Sequence, residues 1–102
     1  MATLHMVNKS PFEDTSLESC LRHVLKGDAV LLIEDGVYGA IKGSAVSDAL
    51  EQHNGTVSLY ALGPDLAARG LAEKPLVGGI EVVDYGGFVD LVTKLDRSQS
   101  WL

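Results

Sequence analysis

Apolar and polar positions along this chain follow two alternating rhythms. Ala29 to Glu34 (AVLLIE) is apolar without interruption up to its closing carboxylate. A run of that kind reads as a strand covered on both faces, as in a parallel sheet. Thr3 to Val7, Thr56 to Leu62 and Ile80 to Val83 read as three further strands. Between them the apolar spacing changes to the helical period. At about 100° per residue, Leu17, Leu21, Val24 and Leu25 form one stripe, which predicts a helix over Thr15 to Lys26. Thr15 and Glu18 have capping-box spacing at its start, and Gly27 is a suitable stop. Val37 to Ile41 reads as a short helical turn. Ser44 to His53 reads as a helix with Val46, Ala49 and Leu50 inward. Pro64 and Asp65 favour the start of a brief helix, Asp65 to Arg69, that Gly70 ends. Ala72 to Gly79 is a loop. Asp84 is placed to cap a last helix, Tyr85 to Leu95, whose inner stripe is Phe88, Leu91, Val92 and Leu95. Asp96 to Leu102 reads as a polar tail until Trp101.

The resulting order is a strand and a helix, repeated four times. Connections too long for hairpins imply a mainly parallel four-stranded sheet with helices on both faces, an α/β fold. The 102 residues suit one domain, taken as 1–102, with 46% hydrophobic residues to build a core. A small apolar-rich chain buries a modest share of its surface alone, so it is expected to associate. The net charge of −6 opposes phosphate backbones and anionic membranes, so neither nucleic acid nor membrane is an expected direct partner. With one cysteine and no signal peptide, the expected compartment is reducing and cytoplasmic.

Candidate chemistry is sparse. Cys20 lies at one edge of the first helical stripe, roughly 60° from His23. It reads either as a small buried hydrophobe or as a thiolate favoured by Arg22, His23 and Lys26. In open parallel sheets ligands gather at the carboxyl ends of strands. Here those ends are Asn8 to Ser10, Glu34-Asp35-Gly36, Gly63-Pro64-Asp65 and Asp84 to Gly87. None carries a nucleotide fingerprint. Glu34 and Asp35 read as solvated turn carboxylates or as a Mg²⁺ pair. His5, His23 and His53 lack the spacing of a zinc site. No cofactor and no metal are expected. Trp101 is expected to dock, on its own core or on a partner.

The run Tyr60-Ala61-Leu62, Asp65-Leu66 and Ala68-Arg69-Gly70-Leu71 resembles the DsrH/TusB family of small sulfur-relay subunits. Leu4-His5, Ser10-Pro11-Phe12, Gly27-Asp28, Asp35-Gly36-Val37, Asp84-Tyr85, Phe88-Val89 and the ending Ser98-Gln99 with Trp101 agree in order and spacing. Around Cys20 the chain is more similar to the DsrH branch, from sulfur-oxidising bacteria, than to the TusB branch of tRNA thiolation. The resemblance implies a three-layer fold. It implies a hexamer with DsrE-like and DsrF-like sister subunits, two copies of each, passing persulfide sulfur to a DsrC-like carrier. The principal acceptor cysteine then belongs to the DsrE-like subunit, and Cys20 is expected to be an accessory persulfide or docking thiol. The alternatives are a TusB-like subunit serving wobble-uridine 2-thiolation, a stand-alone flavodoxin-like ligand binder, and a receiver domain using Asp35.

Overall fold

Ala29 to Leu32 are buried at all four positions, as their uninterrupted apolar run requires. The structure, a computed structural model, describes residues 2–101. Its strands are β1 (Thr3–Val7), β2 (Ala29–Leu32), β3 (Ser58–Leu62), β4 (Ile80–Val83) and β5 (Arg97–Trp101). Its helices are α1 (Ser16–His23), α2 (Ala45–Gln52), α3 (Gly63–Ala68) and α4 (Tyr85–Lys94), with a 3-10 segment at Glu34–Ala40. The sheet order is β4-β3-β2-β1-β5, and every pairing is parallel.

The pleat separates two cores. Val7, Val30, Leu32, Leu59 and Ala61 face Leu17, Cys20, Leu21, Leu50 and Leu66 from α1, α2 and α3. Leu4, Ala29 and Leu31 face α4 through Leu91, with Phe88 and Leu95 beside it. The layers are therefore helices, sheet, helix. Burying each leucine of the sheet contributes about 1.5 to 3 kcal/mol.

The sheet has five strands where the sequence predicts four. Arg97–Trp101, expected to be a tail, pairs with β1 from Thr3↔Arg97 to Val7↔Trp101. It carries no apolar period because it is an edge strand with four of its five residues exposed. Such an edge is tolerated when its side chains are polar.

Helix α1 also differs from expectation at both ends. Thr15 makes no side-chain cap bond. Asp14 serves instead: its Oδ1 accepts from the Ser16 amide at 2.8 Å and from Ser16 Oγ at 2.5 Å. Those Ser16 bonds, side chain first, hold the Asp14 carboxyl below its ordinary range. At the other end the helix stops at His23, not Lys26. Val24 turns to extended backbone, and the Leu25 amide donates to Asp28 Oδ2 at 3.0 Å. Gly27 then adopts φ +90°, open to glycine at little cost, and donates to the Thr56 carbonyl at 2.9 Å. The remaining caps follow local chemistry. Ser44 Oγ accepts from the Ser47 amide at 3.0 Å, and Ser47 Oγ accepts from the Ser44 amide at 3.0 Å. Asp84 accepts from the Gly87 amide at 2.8 Å, as its place before α4 predicts.

Candidate functional site

Cys20 is placed by α1 on its inner side, with none of its surface exposed. It packs in the core between α1 and the sheet. Of the two readings open for it in the sequence, the small buried hydrophobe is the one the fold provides. The expected thiolate is also opposed. Burial first, and the charge of Asp28 second, push the thiol up to about 12. At neutral pH the thiol is held protonated. Arg22, His23 and Lys26 are exposed and lie on the solvent side of the helix and its exit loop.

The polar centre of the fold lies instead under β1. His5 and Asp28 are 4% and 2% exposed, and His5 Nε2 and Asp28 Oδ2 are 2.8 Å apart. Asp28 Oδ1 also accepts from the Thr3 amide, and Oδ2 from the Leu25 amide, both at 3.0 Å. Burial alone would raise this carboxyl. The hydrogen bonds from His5, Leu25 and Thr3 outweigh it and hold Asp28 below its ordinary value. On the other side of the imidazole, Trp101 Nε1 donates to His5 Nδ1 at 3.1 Å. An indole N–H is only a donor, so Nδ1 is bare and the ring proton sits on Nε2, facing Asp28. The indole further lies 5.4 Å from the His23 ring, tilted by 42°. Trp101 therefore docks on its own chain. A cavity of about 220 Å³ opens onto this network, lined by Thr3, His5, His23, Asp28, Arg97 and Gln99.

At the carboxyl ends of the strands, the acidic loops are tied to one another. The Glu34 amide donates to Asp65 Oδ2 at 2.6 Å, and Asn8 Nδ2 donates to Glu34 Oε2 at 3.4 Å. Arg69 Nε donates to Asp35 Oδ1 at 2.9 Å, and Nη1 donates to the Asp65 carbonyl at 3.2 Å. Glu34 holds φ +49°, a left-handed conformation that a non-glycine residue adopts at some cost. Gly36 is required here. A Cβ on it would stand 2.1 Å from the Val7 carbonyl oxygen. Glu34, Asp35 and Asp65 thus brace the ends of β1, β2 and β3.

Two surfaces are apolar. Leu21, Val46 and Ala49 line a groove of about 420 Å³ between α1 and α2, edged by Glu18, Arg22 and His53. Helix α4 presents Tyr85, Val89 and Val92 outward, at 60%, 59% and 40% exposure. Val92 was expected on the inner stripe. By helical spacing it lies between the buried Leu91 side and the exposed Tyr85 side, and the sheet reaches only the former. No helix among the described residues is long and apolar enough to cross a membrane.

Sequence reasoning centres on Cys20 and gives Asp28 no role beyond its place in the Gly27-Asp28 match. The signal for Asp28 was its position one residue before the most buried strand, where a carboxylate needs partners.

Comparison with known proteins agrees over nearly the whole length. A family model described as DsrH like protein matches residues 9–98. Protein TusB of Pectobacterium parmentieri is 35% identical over 98 residues, covering 96% of this chain and 99% of that protein. Protein TusB of Escherichia coli K12 is 36% identical with the same coverage. Among solved structures, the ychN protein of E. coli superposes with TM-score 0.80 at 18% identity, covering 98% of this chain and 99% of that one. A protein of unknown function from Methanobacterium thermoautotrophicum superposes with TM-score 0.73 at 21% identity, covering 97% and 96%. These two likenesses concern the fold.

Proposed function

The chain belongs to the DsrH/TusB family of sulfur-relay proteins, and from that premise we propose that it is a docking subunit of a cytoplasmic relay, not its sulfur-accepting member. The observation that carries this reading is the burial of Cys20. Persulfide transfer, like disulfide exchange, needs a thiolate with access to the donor sulfur. The one thiol of this chain has neither access nor charge. The accepting cysteine then lies on a DsrE-like sister subunit, with a DsrF-like subunit completing a hexamer of two copies each, and a DsrC-like protein carrying sulfur onward. The exposed apolar flank of α4 supports a subunit role, since such patches mark contact surfaces.

The sequence alone set sulfur oxidation first. The curated relatives named TusB favour the other branch, the relay for 2-thiolation of the tRNA wobble uridine. The test is deletion of the gene in its own host, with mass spectrometry of tRNA nucleosides and purification of the tagged protein. Loss of 2-thiouridine, with sister subunits co-purifying, is expected. Unchanged 2-thiouridine with impaired sulfide oxidation assigns the chain to the DsrH branch. Normal tRNA and no sister subunits overturn the relay reading. Replacement by Cys20→Ser is expected to restore 2-thiouridine, and failure despite normal protein levels would give the thiol a chemical role.

A further inference from the structure

We propose that Trp101, His5 and Asp28 form a proton-operated latch on β5. In the closed state His5 is saturated: Nδ1 accepts the indole proton at 3.1 Å, and Nε2–H donates to Asp28 at 2.8 Å. A proton added to His5 has one place to go, the lone pair on Nδ1. That lone pair is the one Trp101 uses. The protonated ring and the indole then present two N–H groups to each other, and an indole has no acceptor to offer in exchange. Trp101 docking and the second proton on His5 are therefore mutually exclusive, and each opposes the other by the same free energy.

The surroundings make both states reachable. The cavity lined by His23, Arg97 and Gln99 brings solvent to the buried ring. Asp28 faces Nε2 and stabilises the imidazolium once it forms. The other ionisable neighbours are His23 and Cys20 from α1 and Arg97 from β5. His23 stacks on Trp101 and has its own Nδ1 engaged with the Ser19 carbonyl at 2.7 Å. The Cys20 thiol stays neutral. Strand β5 depends on this latch because its other four side chains are exposed. Without Trp101 it is held by its ladder to β1 and by the Asp96 bonds to Ala2.

The chain has one tryptophan, so its emission reports the latch directly. Emission of the full chain is recorded from about pH 8 to about pH 5, the range in which imidazoles titrate. A reversible red shift is expected on acidification. It is expected to persist in His23→Gln and to vanish in His5→Gln. Because His5→Gln can disturb the fold, His5 is also followed by NMR in the unaltered chain and in Trp101→Phe. Removing the indole donor is expected to move the His5 midpoint upward by about 0.5 to 1 pH unit, the size of one hydrogen bond. An emission change that follows His23 overturns the latch. So does emission that is flat with pH, or a His5 midpoint unchanged by Trp101→Phe.

Discussion

Replacing Asp28 with alanine tests the polar centre of the fold. The carboxylate is 2% exposed and accepts hydrogen bonds from the Thr3 amide, the Leu25 amide and His5. Asp28→Ala leaves all of these donors without an acceptor. A buried donor left unpaired costs about 1 to 3 kcal/mol. The two amides are partly buried and can recover some hydration, so they belong at the low end. The total is about 3 to 5 kcal/mol, a large part of the roughly 5 to 15 kcal/mol that holds a domain folded. At about 4 to 8 °C per kcal/mol for a chain of this size, Tm falls by at least about 12 °C. Urea unfolding followed by far-ultraviolet circular dichroism measures it. Asp28→Asn keeps an acceptor for His5 and Leu25 but sets an amide against the Thr3 N–H, so its loss falls between. The pH dependence carries a definite sign. The folded carboxyl lies below its unfolded value of about 3.9, so its contribution is complete above that pH and is lost as pH falls through the folded value. A loss below about 1 kcal/mol in Asp28→Ala would refute the reasoning, because it would mean the amides and imidazole find other acceptors at no cost.

Two further tests follow from the same structure. Cys20 should resist iodoacetamide in the native chain at neutral pH and react at once in urea, since access and thiolate are both withheld by folding; mass spectrometry of the adduct reads this, and rapid native labelling would contradict the burial. Gly36→Ala should cost more than about 3 kcal/mol and yield little folded protein, because the new Cβ meets the Val7 carbonyl, which is backbone and has no rotamer to move; a soluble variant with unchanged urea midpoint would show that the 3-10 segment shifts freely.

The elements that were legible in the sequence are those that carry an apolar period. β2 could be read because both its faces are covered, and α4 because Leu91, Phe88 and Leu95 recur at helical spacing. β5 could not, because an edge strand with polar faces has no period to detect. The Thr15–Glu18 pair has the right spacing for a cap, but Asp14 takes the Ser16 donors one residue earlier. Nothing in residue order distinguishes the two. Cys20 was legible as a position on α1 but not as an environment. Its stripe-edge angle is a property of an isolated helix, and the sheet beneath that edge decides its exposure. Asp28 and Trp101 are distant in sequence and meet through His5, so their pairing belongs to the topology. The family, by contrast, was legible from scattered short matches, and the full-length relatives bear it out.

The place of β1 in the sheet sets a constraint on how this chain acquires its structure. β1 leaves the ribosome well before one of its two neighbours, β5, because His5 and Trp101 are 96 residues apart. Synthesis at about 5 to 20 residues per second leaves that side of β1 unpaired for several seconds. Closing so long a loop in a parallel sheet is intrinsically slow. The strand is apolar on its inner positions, so during this interval it is an open template for a neighbouring nascent chain. The strand that carries the least apolar surface thus governs when the most exposed interval of folding ends.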